Sequence, residues 1–337
     1  MHLDDFDYHL PDERIAQTPL EPRDSARLLV DRGSRAPEHR HIRDLLELLE
    51  PGDVLVVNDS KVIPARLRLR RESGGAVEVL LLEQDDADER CWKALARPAR
   101  KLRSGEVLVD PAGSPVLEVG GRSEDGDTVR VSVLGEGDPF LALARLGEMP
   151  LPPYITAPLE DPERYQTVYA ARPGSAAAPT AGLHLTPGLL EALARRGIPL
   201  LRVELVVGLD TFRPVSTSDP TQHVMHSERY HVEPEVLSQC RAARRVVAVG
   251  TTSVRALESA ATFGETSGRT RLFIHRGYDW KVADLMLTNF HLPRTTLLLM
   301  IDAFVGPRWR SLYESAMAEE YRFLSFGDAM LLDRGAV

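Results

Sequence analysis

The chain has 337 residues, 43% of them hydrophobic and 27% charged, with a net charge of −9. That fits a soluble globular protein of about two domains, and the acidic balance argues against wrapping nucleic acid over the whole surface, though not against a local basic patch. No apolar run is long enough to span a bilayer, the N-terminus has no signal pattern, and Cys91 and Cys240 stand apart rather than in a Cys-x-x-Cys pair, so a cytoplasmic chain without disulfides is expected.

Residues 3–27 read as short polar and acidic turns. Residues 44–50 are leucine-rich and predict a short helix, and Pro51-Gly-Asp predicts a turn. The apolar run 54–57 reads as a buried, parallel strand ending in Asn58-Asp-Ser-Lys61, and polar residues at such a strand end are where α/β folds place ligands.

The texture changes at Pro64. Residues 66–70 alternate Arg and Leu, the pattern of a strand with one basic face. Further short strands are expected over 76–82, 91–97, 106–109, 116–119 and 128–134, which together suggest a small antiparallel barrel or sandwich. Residues 61–103 carry eleven Lys/Arg against seven Asp/Glu. A local positive patch on an acidic chain is a candidate phosphate footprint, and Arg66, Arg68, Arg70, Arg97, Arg100, Lys101 and Arg103 are its candidate RNA contacts. Residues 140–146 predict a helix, and the proline-rich 149–155 a rigid connector back from the insertion.

The stretch 176–197 predicts a helix from Pro187, capped by Thr186 and closed by Gly197. Before it, Pro179-Thr-Ala-Gly-Leu-His184 reads as neither helix nor strand. Strands are expected over 200–208, 245–250, 272–274 and 284–287, with a polar loop from Asp210 to Val215. A helix over 251–260 is expected to be capped by hydroxyls, and a second over 297–304 by Thr295 or Thr296. Repeated strand–loop–helix units argue for a layered α/β core with a mixed sheet. The expected division is a discontinuous α/β catalytic domain, 1–64 with 151–337, interrupted by a β-barrel domain at 65–150.

Three joints, at 179–186, 250–253 and 288–296, each place small, hydroxyl, Asn or His side chains at a helix start. Were they to meet, they would form a polar pocket suited to a carboxylate, phosphate or ribose. No Gly-x-Gly-x-x-Gly follows a strand, and no Walker loop or nucleophile elbow is present. The cluster His223, His226, Glu228 and His231 fits zinc spacing poorly, so acid–base work or hydrogen bonding is the better use and no metal is expected.

Taken together, several long motifs resemble the S-adenosylmethionine:tRNA ribosyltransferase-isomerase family of queuosine synthesis. They include Asp5-Phe-Asp-Tyr-His-Leu-Pro11, Val62-Ile-Pro-Ala-Arg66, Met149-Pro-Leu-Pro-Pro-Tyr-Ile155, Ala178-Pro-Thr-Ala-Gly-Leu-His184, Met225-His-Ser-Glu228, Val249-Gly-Thr-Thr-Ser253, Thr288-Asn-Phe-His-Leu-Pro293 and Tyr321-Arg-Phe-Leu-Ser-Phe-Gly-Asp-Ala-Met-Leu331. The resemblance implies an α/β fold with an inserted β-barrel. It implies S-adenosylmethionine as co-substrate, without metal. The ribosyl part would pass to 7-aminomethyl-7-deazaguanine at the tRNA wobble position, giving epoxyqueuosine-tRNA with release of adenine and methionine.

On the matching motifs, His184, His226 and His291 are candidate acid–base residues, with Glu228 orienting a histidine or binding ribose. Thr251, Thr252 and Ser253 are candidates for the methionine carboxylate, and Thr180, Gly182, Asn289, Tyr154 and Asn58 for other substrate contacts. Expected partners are the modified tRNA and the small-molecule donor, with no membrane, and a monomer is expected. The chain departs from the family pattern at Val206 (histidine usual), Asp210 (glycine usual), Asp302 (small residue usual) and Ser60-Lys61 (Thr-Arg usual). The alternatives are a same-fold enzyme acting on another base or nucleoside, and a tRNA-binding protein without turnover.

Overall fold

A computed structural model describes residues 1–122, 128–207, 219–223 and 225–336. The expected loop from Asp210 to Val215 therefore lies outside the described residues. In chain order the strands are β1 (Arg27–Val30), β2 (Glu38–His41), β3 (Val54–Asn58), β4 (Ser60–Val62), β5 (Arg66–Arg71), β6 (Ala76–Gln84), β7 (Cys91–Arg97), β8 (Val107–Val109) and β9 (Pro115–Arg122). There follow β10 (Val129–Val133), β11 (Gly147–Glu148), β12 (Arg172–Ser175), β13 (Leu200–Leu205), β14 (Glu228–His231), β15 (Val246–Val249), β16 (Ser267–Thr270), β17 (Leu285–Asn289) and β18 (Ala329–Asp333). The helices are α1 (Leu45–Leu48), α2 (Pro139–Leu146), α3 (Pro187–Arg195), α4 (Pro234–Ala242), α5 (Gly250–Phe263), α6 (Thr296–Val305) and α7 (Trp309–Ala318).

Nine strands form one mixed sheet in the order β16-β14-β13-β3-β15-β17-β18-β1-β2. At its centre β13, β3, β15 and β17 run parallel. β15 and the first four residues of β3 are aliphatic on both faces because both faces are covered. Val54, Val56, Val246 and Ala248 pack with α5, α6 and α7, while the alternate residues Leu55, Val57, Val247 and Val249 pack with α1 and α3. The two-residue period of the strand thus sorts one apolar run into two cores.

The second sheet is a barrel. β5, β6, β7, β10, β9 and β8 pair in turn, and β8 pairs back with β5 to close it, while β11 adds to the outside of β5. Leu67, Leu69, Val77, Val79, Trp92 and Val131 fill its interior. β4 and β12 form a separate parallel pair.

Most expected elements are found with shifted ends, and some differ in kind. Residues 272–274 are not a strand: Leu272 N–H is held by Thr270 Oγ1 and its carbonyl by Arg255 Nε, so side chains occupy the ladder positions, and the strand lies earlier as β16. Thr180–His184 is a 3₁₀ helix rather than irregular chain. No hydroxyl caps α5: its N-cap is Val249, and Ser253 Oγ donates back to the Val249 carbonyl at 2.7 Å. Thr186 and Thr295 do cap α3 and α6, accepting from Leu189 N and Leu298 N. No helix among the described residues is long and apolar enough to cross a membrane.

Candidate functional site

The C-terminal ends of the parallel strands converge on one cavity, the position that open α/β sheets offer to ligands. Val207, just beyond β13, lines it, as do Gly250, Thr251 and Thr252 after β15, and Asn289 and His291 at the end of β17. Thr180 and Ala181 close one side, and Tyr154 and Ser325 another. The three joints singled out in the sequence therefore meet. The cavity measures about 80 Å³, small beside the roughly 300–1,000 Å³ of small-molecule sites. Residues 208–218, which continue from Val207, lie outside the described residues.

Gly250 makes the strand-to-helix turn at φ +82°, a conformation that favours glycine. The first turn of α5 then presents N–H groups without a side-chain cap, the arrangement that attracts an anion. Thr252 Oγ1, beside them, is buried and has no hydrogen-bond partner among the described residues.

Asn289 ties the wall together. Its Oδ1 accepts from Thr180 Oγ1 at 3.0 Å, and its Nδ2 donates to His184 Nε2 at 3.0 Å and to the Asp328 carbonyl at 3.3 Å. His184 itself stands behind Asn289 and faces a smaller hollow with Arg23 and Arg164. Burial, reinforced by the positive charges of Arg322 and Arg23, lowers its pKa to about 4.

His291 does line the cavity. Its Nε2 lies 2.9 Å from Thr288 Oγ1, and its backbone is clamped by Tyr313, whose hydroxyl accepts from the His291 N–H at 3.0 Å, and by Tyr8, whose hydroxyl donates to the His291 carbonyl. Burial alone lowers its pKa to about 4, so the imidazole is neutral at physiological pH. Tyr154 Oη and Ser325 Oγ are 2.7 Å apart on the opposite side, and burial holds the Tyr154 phenol above its ordinary pKa.

Other expected site residues lie elsewhere. Asn58 is consumed by backbone: Oδ1 accepts from Ser60 N and Leu205 N, and Nδ2 donates to the Leu205 carbonyl. Gly182 packs under Tyr169, whose hydroxyl would lie 1.8 Å from an added Cβ. Ser253, in the first turn of α5, is fully buried and does not line the cavity. Glu228 forms a buried ion pair with Arg255, and His226, two residues before it, is half-buried away from the cavity lining. His231 pairs with Glu233, and His223 lies edge-on to Phe273. Among the described residues no three His, Cys, Asp or Glu gather as a metal site.

The basic residues sit on and beside the barrel. Arg68 pairs with Glu148, and Arg66 Nη2 donates to the Leu151 carbonyl. Arg70, Arg97, Arg100, Lys101 and Arg103 are exposed, and among the described residues none of these five forms an ion pair. Sequence reasoning missed Ser325 and Tyr313, which only the C-terminal segment's return to β17 brings to the site. Asp302, the unusual acid in α6, is buried and held bidentately by Arg276.

The family model described as queuosine biosynthesis protein matches residues 3–332. An S-adenosylmethionine:tRNA ribosyltransferase-isomerase from Symbiobacterium thermophilum is 53% identical, covering 98% of this chain and 100% of that protein. The Thermus thermophilus protein of the same name is 51% identical over 98% and 99%. A crystal structure of an S-adenosylmethionine tRNA ribosyltransferase from Thermotoga maritima matches with a TM-score of 0.55 at 38% identity, over 97% of this chain and 99% of that one.

Proposed function

The chain belongs to the queuosine biosynthesis protein family, and we propose that it is an S-adenosylmethionine:tRNA ribosyltransferase-isomerase. Its substrates on this reading are S-adenosylmethionine and tRNA bearing 7-aminomethyl-7-deazaguanine at the wobble position. The products are epoxyqueuosine-tRNA, adenine and methionine. The chemistry belongs to residues 1–64 and 151–337, and the inserted barrel at 65–150 contributes to RNA binding. The observation that carries the reading is the meeting of three motif-bearing joints, with His291, Asn289, Thr180 and the α5 N-terminus, in one cavity at the strand ends.

The reaction needs a base for the ribose carbon attached to sulfur, whose proton the sulfonium acidifies. It also needs stabilisation of departing adenine and a site that keeps water from the intermediate. On this reading His291, neutral and on the cavity wall, takes that proton. The N–H groups of the first turn of α5, with Thr251 and Thr252, suit the methionine carboxylate. Thr180, Asn289 and Tyr154 offer hydrogen bonds to the sugar or base. His226 keeps its candidacy as a second acid–base group from its motif, with Glu228 and Arg255 anchoring the start of the strand that follows it.

The test is incubation with S-adenosylmethionine and tRNA carrying the aminomethyl-deazaguanine, read by mass spectrometry. Equal release of adenine and methionine with a ribosyl-derived mass on the nucleoside is expected. S-adenosylhomocysteine with a methylated nucleoside would overturn the reading. Tight tRNA binding without adenine would indicate a binding protein, and turnover on another base a different acceptor.

A further inference from the structure

A second cavity, of about 360 Å³, lies where the outside of the barrel meets the 149–155 connector. The register across β5, β6 and β7 sets Arg66 opposite Leu80 and Leu80 opposite Leu95; two residues along, Arg68 faces Glu78 and Glu78 faces Arg97. Because Leu67, Leu69, Val77 and Val79 fill the barrel, these alternate residues stand on its outer face. Leu80 and Leu95 make an apolar floor there, with Pro150 and Leu151 as the opposing wall.

The rim is charged and unsatisfied. Among the described residues Arg66 Nε is buried with no hydrogen-bond partner, although its Nη2 is anchored on the Leu151 carbonyl. Among the described residues neither Arg97 nor Glu78 forms an ion pair, and Arg68, the other neighbour of Glu78, is taken by Glu148. The connector and the Ala176–Ala177 step lie between this cavity and the first: Pro152, Tyr154 and Ala177 line one, Pro150, Pro153 and Ala176 the other.

We infer that this second cavity binds the nucleobase next to the modified nucleotide, and that it selects a keto base, uracil or guanine. The inference rests on the proposed tRNA substrate, because a strand with its reactive base in the first cavity carries its neighbour to the second. Uracil and guanine present an imino N–H beside a carbonyl oxygen. A carboxylate accepts from that N–H, and a guanidinium donates to that oxygen. Adenine and cytosine present a ring nitrogen lone pair at that position, which opposes the carboxylate. Reading a splayed base by its Watson–Crick edge is the usual route to sequence specificity in single-stranded RNA. Arg66 and Arg97 thereby read a base rather than a phosphate.

The experiment measures binding of hairpin RNAs by fluorescence anisotropy, with the base on each side of the central loop guanine set in turn to U, G, C or A. At one of the two positions U or G binds about tenfold more tightly than C or A, the scale of one good base-edge contact. Glu78→Gln, whose amide can donate or accept, collapses the preference to about twofold or less, and Arg97→Gln, at an exposed site, does likewise. Equal binding of all four bases at both positions, or a preference that survives both substitutions, overturns the site. Adenine release is followed on the same hairpins carrying the aminomethyl-deazaguanine. A preference without adenine release keeps this site and sinks the ribosyl-transfer reading; adenine release with a preference indifferent to Glu78→Gln does the reverse.

Discussion

Asn289 Nδ2 lies 3.0 Å from His184 Nε2, while Asn289 Oδ1 accepts the Thr180 hydroxyl at the same distance. The buried imidazole therefore fixes which way the amide faces, and the amide fixes the hydroxyl at the cavity wall. A protonated His184 could not accept that bond, and its lowered pKa keeps it neutral.

This separates two histidines that look alike in the sequence. His291→Ala removes a group on the cavity wall and is expected to lower kcat by about 10²–10⁴, with little change in donor affinity. His184→Ala acts only through Asn289, and a smaller loss, about tenfold, is expected in kcat/KM, with a lowered Tm. Steady-state adenine release and thermal unfolding of both variants check this. Equal losses in kcat would return His184 to direct proton transfer.

Acid stability follows from the same two groups. Each has a folded pKa of about 4 against an ordinary 6.5. Between these values the unfolded chain binds more protons than the native one, so stability falls as pH drops from 6.5 toward 4. The loss is on the order of 3 kcal/mol per histidine at most. Urea unfolding at pH 6.5 and 5 should show it, and His184→Asn should reduce the difference. An unchanged difference would mean that the burial of His184 does not set this slope.

Much of this arrangement could be read from residues, and the unread part has a common cause. The run 54–57 announces a doubly buried strand by composition alone, and Thr186-Pro187 announces the start of α3. Both signals are local. The partner of His184 lies 105 residues away, and nothing near His184 points to Asn289. β1, with three buried residues, depends on β18 from the far end of the chain, and β2 is a polar strand without alternation that exists because β1 is there to pair. Residues 272–274 mislead for the opposite reason: three apolar residues carry no period, and the side chains of Thr270 and Arg255 decide their hydrogen bonds.

The basic surface predicts a salt effect. Arg70, Arg100, Lys101 and Arg103 are exposed and, among the described residues, in no ion pair, whereas Arg68 is held by Glu148. Replacing those four by Ala should weaken tRNA binding and make log Kd markedly less dependent on log salt, by up to about 0.9 per lost phosphate contact. Arg68→Ala alone should change the slope little. Filter binding at three salt concentrations is sufficient, and an unaltered slope in the fourfold variant would move the RNA footprint off the barrel.

The last prediction concerns Glu228 and Arg255. Both are buried, the carboxylate on β14 and the guanidinium on α5, and they pair directly. Glu228→Ala takes the directly paired carboxylate away from a buried guanidinium, and a destabilisation of about 3–5 kcal/mol is expected, as for other broken buried pairs. Glu228→Leu with Arg255→Met removes both charges and should recover most of that loss, because neither partner is then left desolvated alone. α5 starts at the cavity and β14 follows the His226 motif, so the pair also fixes one relative to the other. The double variant should therefore regain stability while adenine release stays reduced. Urea unfolding and single-turnover adenine release, measured on the same preparations, distinguish the two effects. Full recovery of both would show that the pair contributes packing only.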